Sequence, residues 1–339
     1  MKKTRYLNGI LHVAVLAGLI YAGTKYINGD ECWRAVRRFN WAYAPLILSL
    51  TTAYVLVKGW RFVFLLREFS DINRWVVLRG YVAAQAATLL PGGIAARAGI
   101  MEQIGVPLAN SGAAVAHSSL ADQAVLIACA LVSALWFDAA RKPALLLLTG
   151  LIVLSLLLGI EATRTWLKSI VEWILHRLRL VNLWHDFIES MKQVTTPYNI
   201  LAGLGNAALA FALMVVALDL CVRGVGAHAS YPTLLLAFTL PSLLGRISAM
   251  PGGVGVTEAG MVGILDSHPH ITLDQAAAAV IIFRIGTVLF AAILGAVVYF
   301  FGWRGAAENT DCTPVPAAEA VAQRVAGTAT LYNRHVCRK

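Results

Sequence analysis

Six stretches of this chain run for the length of a membrane span with almost no charged residue: about 7–27, 41–66, 112–137, 143–160, 199–222 and 274–302. Hydrocarbon offers no partner to a backbone N–H or C=O, so an apolar run at membrane depth must satisfy its own backbone. A helix of about 20 residues does this while crossing the core. The fold class that follows is all-α, a polytopic membrane protein of about six full spans. Composition agrees where it matters. Only 14% of the residues are charged, against about 25% in an average soluble domain. A water-facing surface built from this chain would be starved of charge.

Two further apolar runs do not fit a straight span. Residues 81–105 are interrupted at Leu90-Pro91-Gly92-Gly93, and residues 231–266 at Met250-Pro251-Gly252-Gly253-Val254-Gly255. Pro followed by two Gly cannot continue a regular helix, and the pieces on either side are too short to cross alone. Each run therefore reads as a re-entrant broken-helix hairpin with its tip at Pro-Gly-Gly. The flanks recur as well. Glu102 follows the first break and Glu258 the second. Val106-Pro107-Leu108-Ala109-Asn110 and Ile271-Thr272-Leu273-Asp274-Gln275 then open two alanine-rich spans.

Recurrence in the same order reads as duplication: repeat one at about 41–137 and repeat two at about 199–302, within an integral membrane domain over 1–303. Between the repeats, 161–198 carries an apolar stripe of Trp166, Ile170, Trp173, Ile174, Trp184, Phe187 and Met191 among basic residues. It is expected to be an interfacial helical linker lying in the headgroup layer. The stretch 304–339, rich in Ala, Thr, Pro and Val, is expected to be a disordered cytoplasmic tail.

The net charge of +10 reads as positive-inside bias. Lys2, Lys3 and Arg5 place the N-terminus in the cytoplasm ahead of an uncleaved first anchor. Counting spans from there puts 161–198 and the C-terminus in the cytoplasm and lets the two broken runs enter from opposite faces. Inverted repeats with broken helices are a transporter architecture, and the expected location is the cell inner (plasma) membrane. The basic residues are spread between apolar runs and form no nucleic-acid module. Cys32, Cys129, Cys221, Cys312 and Cys337 are too scattered for a disulfide framework or a metal set. No nucleophile–base pair and no nucleotide-type Gly loop is present, so neither an enzyme nor a cofactor is expected.

Charges inside apolar sequence are costly and mark sites. Six qualify: Arg97, Glu102, Asp122, Arg246, Glu258 and Arg284. The breaks at Gly92, Gly93, Gly252 and Gly253 free backbone N–H groups, and a half-helix N-terminus with Arg nearby suits a phosphate. The expectation is that these residues converge in one polar, substrate-binding cavity. The Arg residues would grip a lipid phosphate, and the carboxylates would orient them or exchange protons. The competing reading is a set of structural ion pairs locking the repeats together. Lys58 and Arg61, in the last two turns of the second span, are read as snorkelling to the nearer interface. His117 is read as a core histidine.

The Leu-Pro-Gly break with nearby Arg and Glu, the run Pro251-Gly252-Gly253-Val254-Gly255-Val256-Thr257-Glu258-Ala259, and the later Phe283-Arg284 resemble the lysylphosphatidylglycerol synthase transmembrane-region family. These are flippase-like membrane proteins, and the resemblance covers about 5–303. Where members often carry Glu-Arg before the Asp of the span after the first break, this chain has Ser118-Ser119 before Asp122. The soluble aminoacyl-transferase domain of the family's synthases is not expected here.

The resemblance implies movement of a phosphate-bearing lipid, a phospholipid or a polyprenyl-phosphate lipid, rather than lysyl-lipid synthesis. The alternative is a non-transporting accessory subunit for an envelope glycosyltransferase or lipid-modifying enzyme. That alternative predicts a featureless midplane.

Overall fold

Caps and prolines set the helix boundaries. Asn40 accepts from the Ala42 N–H at 3.1 Å and starts a single 3-10 turn, Trp41–Tyr43, that feeds α1 (Ala44–Leu66) with Pro45 in its first turn. Asn73 caps α2 (Arg74–Ala83), which tightens into a 3-10 stretch, Ala84–Leu89. After the first break come α3 (Gly93–Glu102), α4 (Leu108–Ala134), α5 (Asp138–Gly159), α6 (Glu161–Leu178) and α7 (Val181–Val194). Thr196 caps α8 (Pro197–Gly224), with Pro197 at its first position, where a missing N–H costs nothing. Then follow α9 (Tyr231–Ile247) and, beyond the second break, α10 (Val256–Asp266). Thr272 and Gln275 form a capping box on α11 (Leu273–Arg284). That helix continues through a π turn (Ile285–Leu289) into α12 (Phe290–Val298) and a second π turn (Tyr299–Trp303).

This computed structural model describes residue 34 and residues 36–303, apart from 71, 90–92, 179, 248–252 and 254. The expected span at 7–27, the tail at 304–339 and the Pro-Gly pairs at both break tips lie outside the described residues.

Among the described residues the chain is helical and holds no strand. Four helical runs are long and apolar enough to cross a membrane: Trp41–Leu66, Leu108–Ala134, Pro197–Gly224 and Leu273–Trp303. They correspond to four of the six expected spans. The expected span at 143–160 falls within α5, where Leu145, Leu146 and Leu156 are each more than half exposed.

Both halves run in the same order: a long helix, a broken pair, a long helix. Their packing is reciprocal. Helix α4, which ends the first half, packs on α9 of the second half's broken pair. Helix α12, near the end of the second half, packs on α2 and the 3-10 stretch of the first half's broken pair. The two leading helices, α1 and α8, pack on each other. Small residues allow the close approaches: a Cβ on Gly295 would lie 2.5 Å from the Ala86 backbone N, and one on Gly260 2.9 Å from the Pro241 ring.

In both halves the arms of the broken pair touch: α9 packs on α10, and α3 on α2 and the 3-10 stretch. The stretch expected as an interfacial linker is a helix pair, α6 and α7. Helix α7 lies against α4, with Ser190 Oγ donating to Asn110 Oδ1 at 2.9 Å. Trp184 stacks on Phe187, while Trp166 and Trp173 point outward, 65% and 70% exposed.

Candidate functional site

Tyr54, Lys58 and Arg61 recur at four- and three-residue steps along α1, so they share one face. Helix α4 presents Asp122 to that face. Lys58 Nζ lies 2.6 Å from Asp122 Oδ2, and Arg61 Nη2 donates to Asp122 Oδ1 at 2.7 Å. All three are buried, at 7%, 5% and 5% exposure for Lys58, Arg61 and Asp122.

Lys58 Nζ also donates to Tyr54 Oη at 3.2 Å, and Arg61 Nη1 donates to the Gly203 carbonyl of α8 at 3.3 Å. The snorkelling expected of Lys58 and Arg61 is therefore corrected. A carboxylate on the facing helix gives both an inward partner, which competes successfully with a reach to the interface.

Helix α3 brings a third cation. The Arg97 guanidinium stands 4.9 Å from the Tyr81 ring centroid, in cation–π range. Its Nε is buried without a hydrogen-bond partner among the described residues. Lys58 and Arg61 share the one carboxylate of Asp122, so one positive charge of this cluster has no counter-charge among the described residues.

A cavity of about 200 Å³ opens beside this cluster between α1 and α8, lined by Trp60, Arg61, Phe64, Asn199, Gly203 and Asn206. Its polar groups are only partly used. Asn206 Nδ2 donates to the Val57 carbonyl at 2.9 Å, but Asn206 Oδ1 and Arg61 Nε are buried with no partner among the described residues. On α4 the same holds for Ser118 Oγ, one turn before Asp122, and for His117 Nδ1 and Gln123 Oε1. Buried polar atoms nearly always find partners, so the idle atoms of Arg61, Ser118 and Asn206 beside one ion cluster are unusual. His117, expected in the core, is buried against α8, where a Cβ on Gly203 would lie 3.2 Å from its ring.

The second break builds a different arrangement. Gly253 and Gly255 adopt φ of 67° and 89°, the left-handed region that side chains resist. A Cβ on Gly245 of α9 would lie 2.1 Å from Thr257 Oγ1 and 3.3 Å from the Gly253 Cα, so the arms meet glycine to glycine. Glu258, in the first turn of α10, turns back and accepts from the Gly255 N–H at 2.6 Å. Its other oxygen lies 2.6 Å from Arg284 Nε, an ion contact whose angle is poor for a hydrogen bond. Arg284 Nη2 has no partner among the described residues. Charge here is balanced, one for one.

Of the six charged residues expected to converge, direct contacts form two separate groups. Asp122 belongs to the α1–α4 cluster, Arg97 stands over the Tyr81 ring, and Glu258 pairs with Arg284. Arg246 and Glu102 are exposed, and neither makes an ion pair among the described residues. Gly93 begins α3, Gly253 turns the second break, and Gly92 and Gly252 lie outside the described residues. Lys58 and Arg61 are the site residues that sequence reasoning passed over. The signal was their spacing from Tyr54, which marks one helix face.

No curated protein matches the chain. Residues 9–295 match the family described as the lysylphosphatidylglycerol synthase TM region, and the chain belongs to that family.

Proposed function

We propose that this chain is a translocase that carries a phosphate-bearing lipid between the leaflets of the plasma membrane without altering it covalently. Family membership ties the chain to lipid handling in a membrane. The observation that carries the reading further is the α1–α4 cluster, where two cations, Lys58 and Arg61, face one carboxylate inside apolar helices. A buried cation without a counter-charge costs several kcal/mol. A cluster kept one positive charge in excess is suited to a ligand that brings negative charge.

The cavity between α1 and α8 supplies a route from the side, with Arg61 Nε as an unused donor on its wall. Trp60, 39% exposed, and Phe64 line its apolar part. A headgroup phosphate would lie toward Arg61, and the acyl chains would stay in lipid. In this reading the two broken pairs are re-entrant hairpins of inverted repeats. The Glu258–Arg284 pair fastens the second hairpin to the helix that follows it. Both termini lie in the cytoplasm, with α6 and α7 in the headgroup layer beneath. A non-transporting scaffold has no use for an uncompensated cationic centre.

The test is reconstitution in vesicles holding a trace of phosphatidylglycerol labelled at the headgroup end of one acyl chain, with a membrane-impermeant quencher added outside. Wild-type protein should render nearly all the label quenchable, and Arg61→Gln should slow this at least tenfold. Vesicles with protein that quench only the outer half, as empty vesicles do, would overturn the reading.

A further inference from the structure

We infer that the π turn Ile285–Leu289 is a hinge in the last long helical run, and that the Thr51 hydroxyl of α1 is the latch that holds it. This rests on the translocase reading and names a moving part of the translocase. The run changes partners at that turn. Before it, Ile282 and Phe283 of α11 share a core with Met214 and Leu218 of α8 and Met261 of α10. Arg284, the last residue of α11, pairs with Glu258 of α10. After it, α12 packs on α2 and the 3-10 stretch, and Ala291 clusters with Val55 and Val82. Trp303 then joins the core of Tyr81 and Met101. A straight helix seated in both cores would lock them together.

A π turn interrupts the regular hydrogen-bond ladder and is a common place for a helix to bend. In lipid the loosened carbonyls need other donors, and Thr hydroxyls supply them. Thr287 Oγ1 donates back to the Phe283 carbonyl at 2.6 Å. Thr51 Oγ1, from α1, donates to the Gly286 carbonyl at 2.9 Å and shares its proton with the Ile47 carbonyl, 3.0 Å away. Letting go of Gly286 therefore leaves the buried hydroxyl satisfied. Gly286 permits this close approach, since a Cβ there would lie 2.8 Å from Ile47 Cγ2.

Thr51 stands three residues before Tyr54, on the α1 face that carries Tyr54, Lys58 and Arg61. Latch and ion cluster thus share one helix, unbroken from Ala44 to Leu66. Asp122 ties that helix to α4, unbroken from Leu108 to Ala134. The α1–α4 pair is the post against which the last run bends, and bending moves the first broken pair relative to the second without repacking either core. A ligand that pulls on Lys58 or Arg61 shifts the stripe that holds the hinge.

The experiment measures spin-label distances in the full-length protein in phosphatidylglycerol vesicles, with the five native cysteines replaced by Ala. One label pair spans the hinge, Arg79→Cys on α2 with Ser267→Cys after α10. A control pair, Val216→Cys on α8 with Ser267→Cys, stays within the second half. All three positions are exposed. The spanning pair should give two distance populations, and the control pair one that no variant alters. Thr51→Val removes the hydroxyl and should change the ratio of the two populations at least threefold. Thr51→Ser keeps the hydroxyl and should hold the wild-type ratio.

A single spanning distance in both wild type and Thr51→Val overturns the hinge. A ratio that Thr51→Val leaves unchanged, or that Thr51→Ser shifts as much, overturns the latch. The two readings fail separately. Lipid moved in vesicles with a single spanning distance sinks the hinge alone. Two populations that answer to Thr51→Val, with no lipid moved, sink the translocase reading alone.

Discussion

The two ion clusters use the same residue types toward different ends. Around Asp122, two cations share one carboxylate, Lys58, Arg61 and Asp122 are all buried, and several polar atoms stand without partners among the described residues. Around Glu258, one carboxylate meets one guanidinium, both side chains are a fifth to a third exposed, and the second carboxylate oxygen is occupied by a backbone N–H. The balanced pair closes a turn and joins α10 to α11. The unbalanced cluster joins helices too, yet it keeps more positive charge than the joint requires. An ion pair serving only to hold helices needs no excess, so surplus charge separates a binding site from a fastener.

Asp122→Asn attacks the comparison at its strongest point. It leaves two buried cations, Lys58 and Arg61, without their carboxylate, and removing one partner of a buried pair typically costs about 3–5 kcal/mol. The variant should show the largest loss of thermal stability in detergent, and stability equal to wild type would mean the cluster is hydrated and its charge irrelevant. Gly245→Ala probes the second region. The new methyl would meet Thr257 Oγ1 and crowd Gly253, and overpacking of this kind costs about 1–3 kcal/mol. Unfolding midpoints should show it, with limited proteolysis increasing in the loop between α9 and α10.

Glu258→Gln should be milder. Gln still accepts from the Gly255 N–H and loses only the charge on Arg284, a loss of about 1–2 kcal/mol in the same assay. A cost matching that of Asp122→Asn would erase the distinction between the clusters. Arg97→Gln is the smallest change, within about 0.5 kcal/mol of wild type, since Arg97 makes no ion pair among the described residues. A large destabilisation would show that Arg97 over the Tyr81 ring is a structural partner.

The four long helical runs were legible because length and apolarity alone decide them. The breaks were legible because Pro and Gly act locally, and the turn conformations of Gly253 and Gly255 bear that out. Glu258 and Arg284 could be named from their motif, although their pairing needed the fold. What escaped was the inward turn of Lys58 and Arg61. A cation one or two turns from a helix end has two outlets, the interface or a carboxylate on a neighbouring helix. Sequence does not show that Asp122, about sixty positions away, faces them. Arg246 and Arg284 were named together in sequence as cations within apolar runs, Arg246 flanking the second break and Arg284 one helix further on. The direction in which α9 meets its neighbours leaves Arg246 exposed.

Trp303 has a bearing on how such a chain is made. Its indole is 1% exposed, lies over Gly80 where a Cβ would come within 2.7 Å of it, and donates through Nε1 to Gln103 Oε1 at 2.9 Å. It belongs to the same core as Tyr81, Met101 and Val106. During synthesis, which proceeds from the N-terminus at about 5–20 residues per second, the first half is inserted long before this residue exists. That half must wait in the bilayer with a hole in its core until the last helix arrives. Assembly is therefore decided late, and a ribosome stalled or a chain cut shortly before Trp303 would release a protein whose first half has every residue it needs except one.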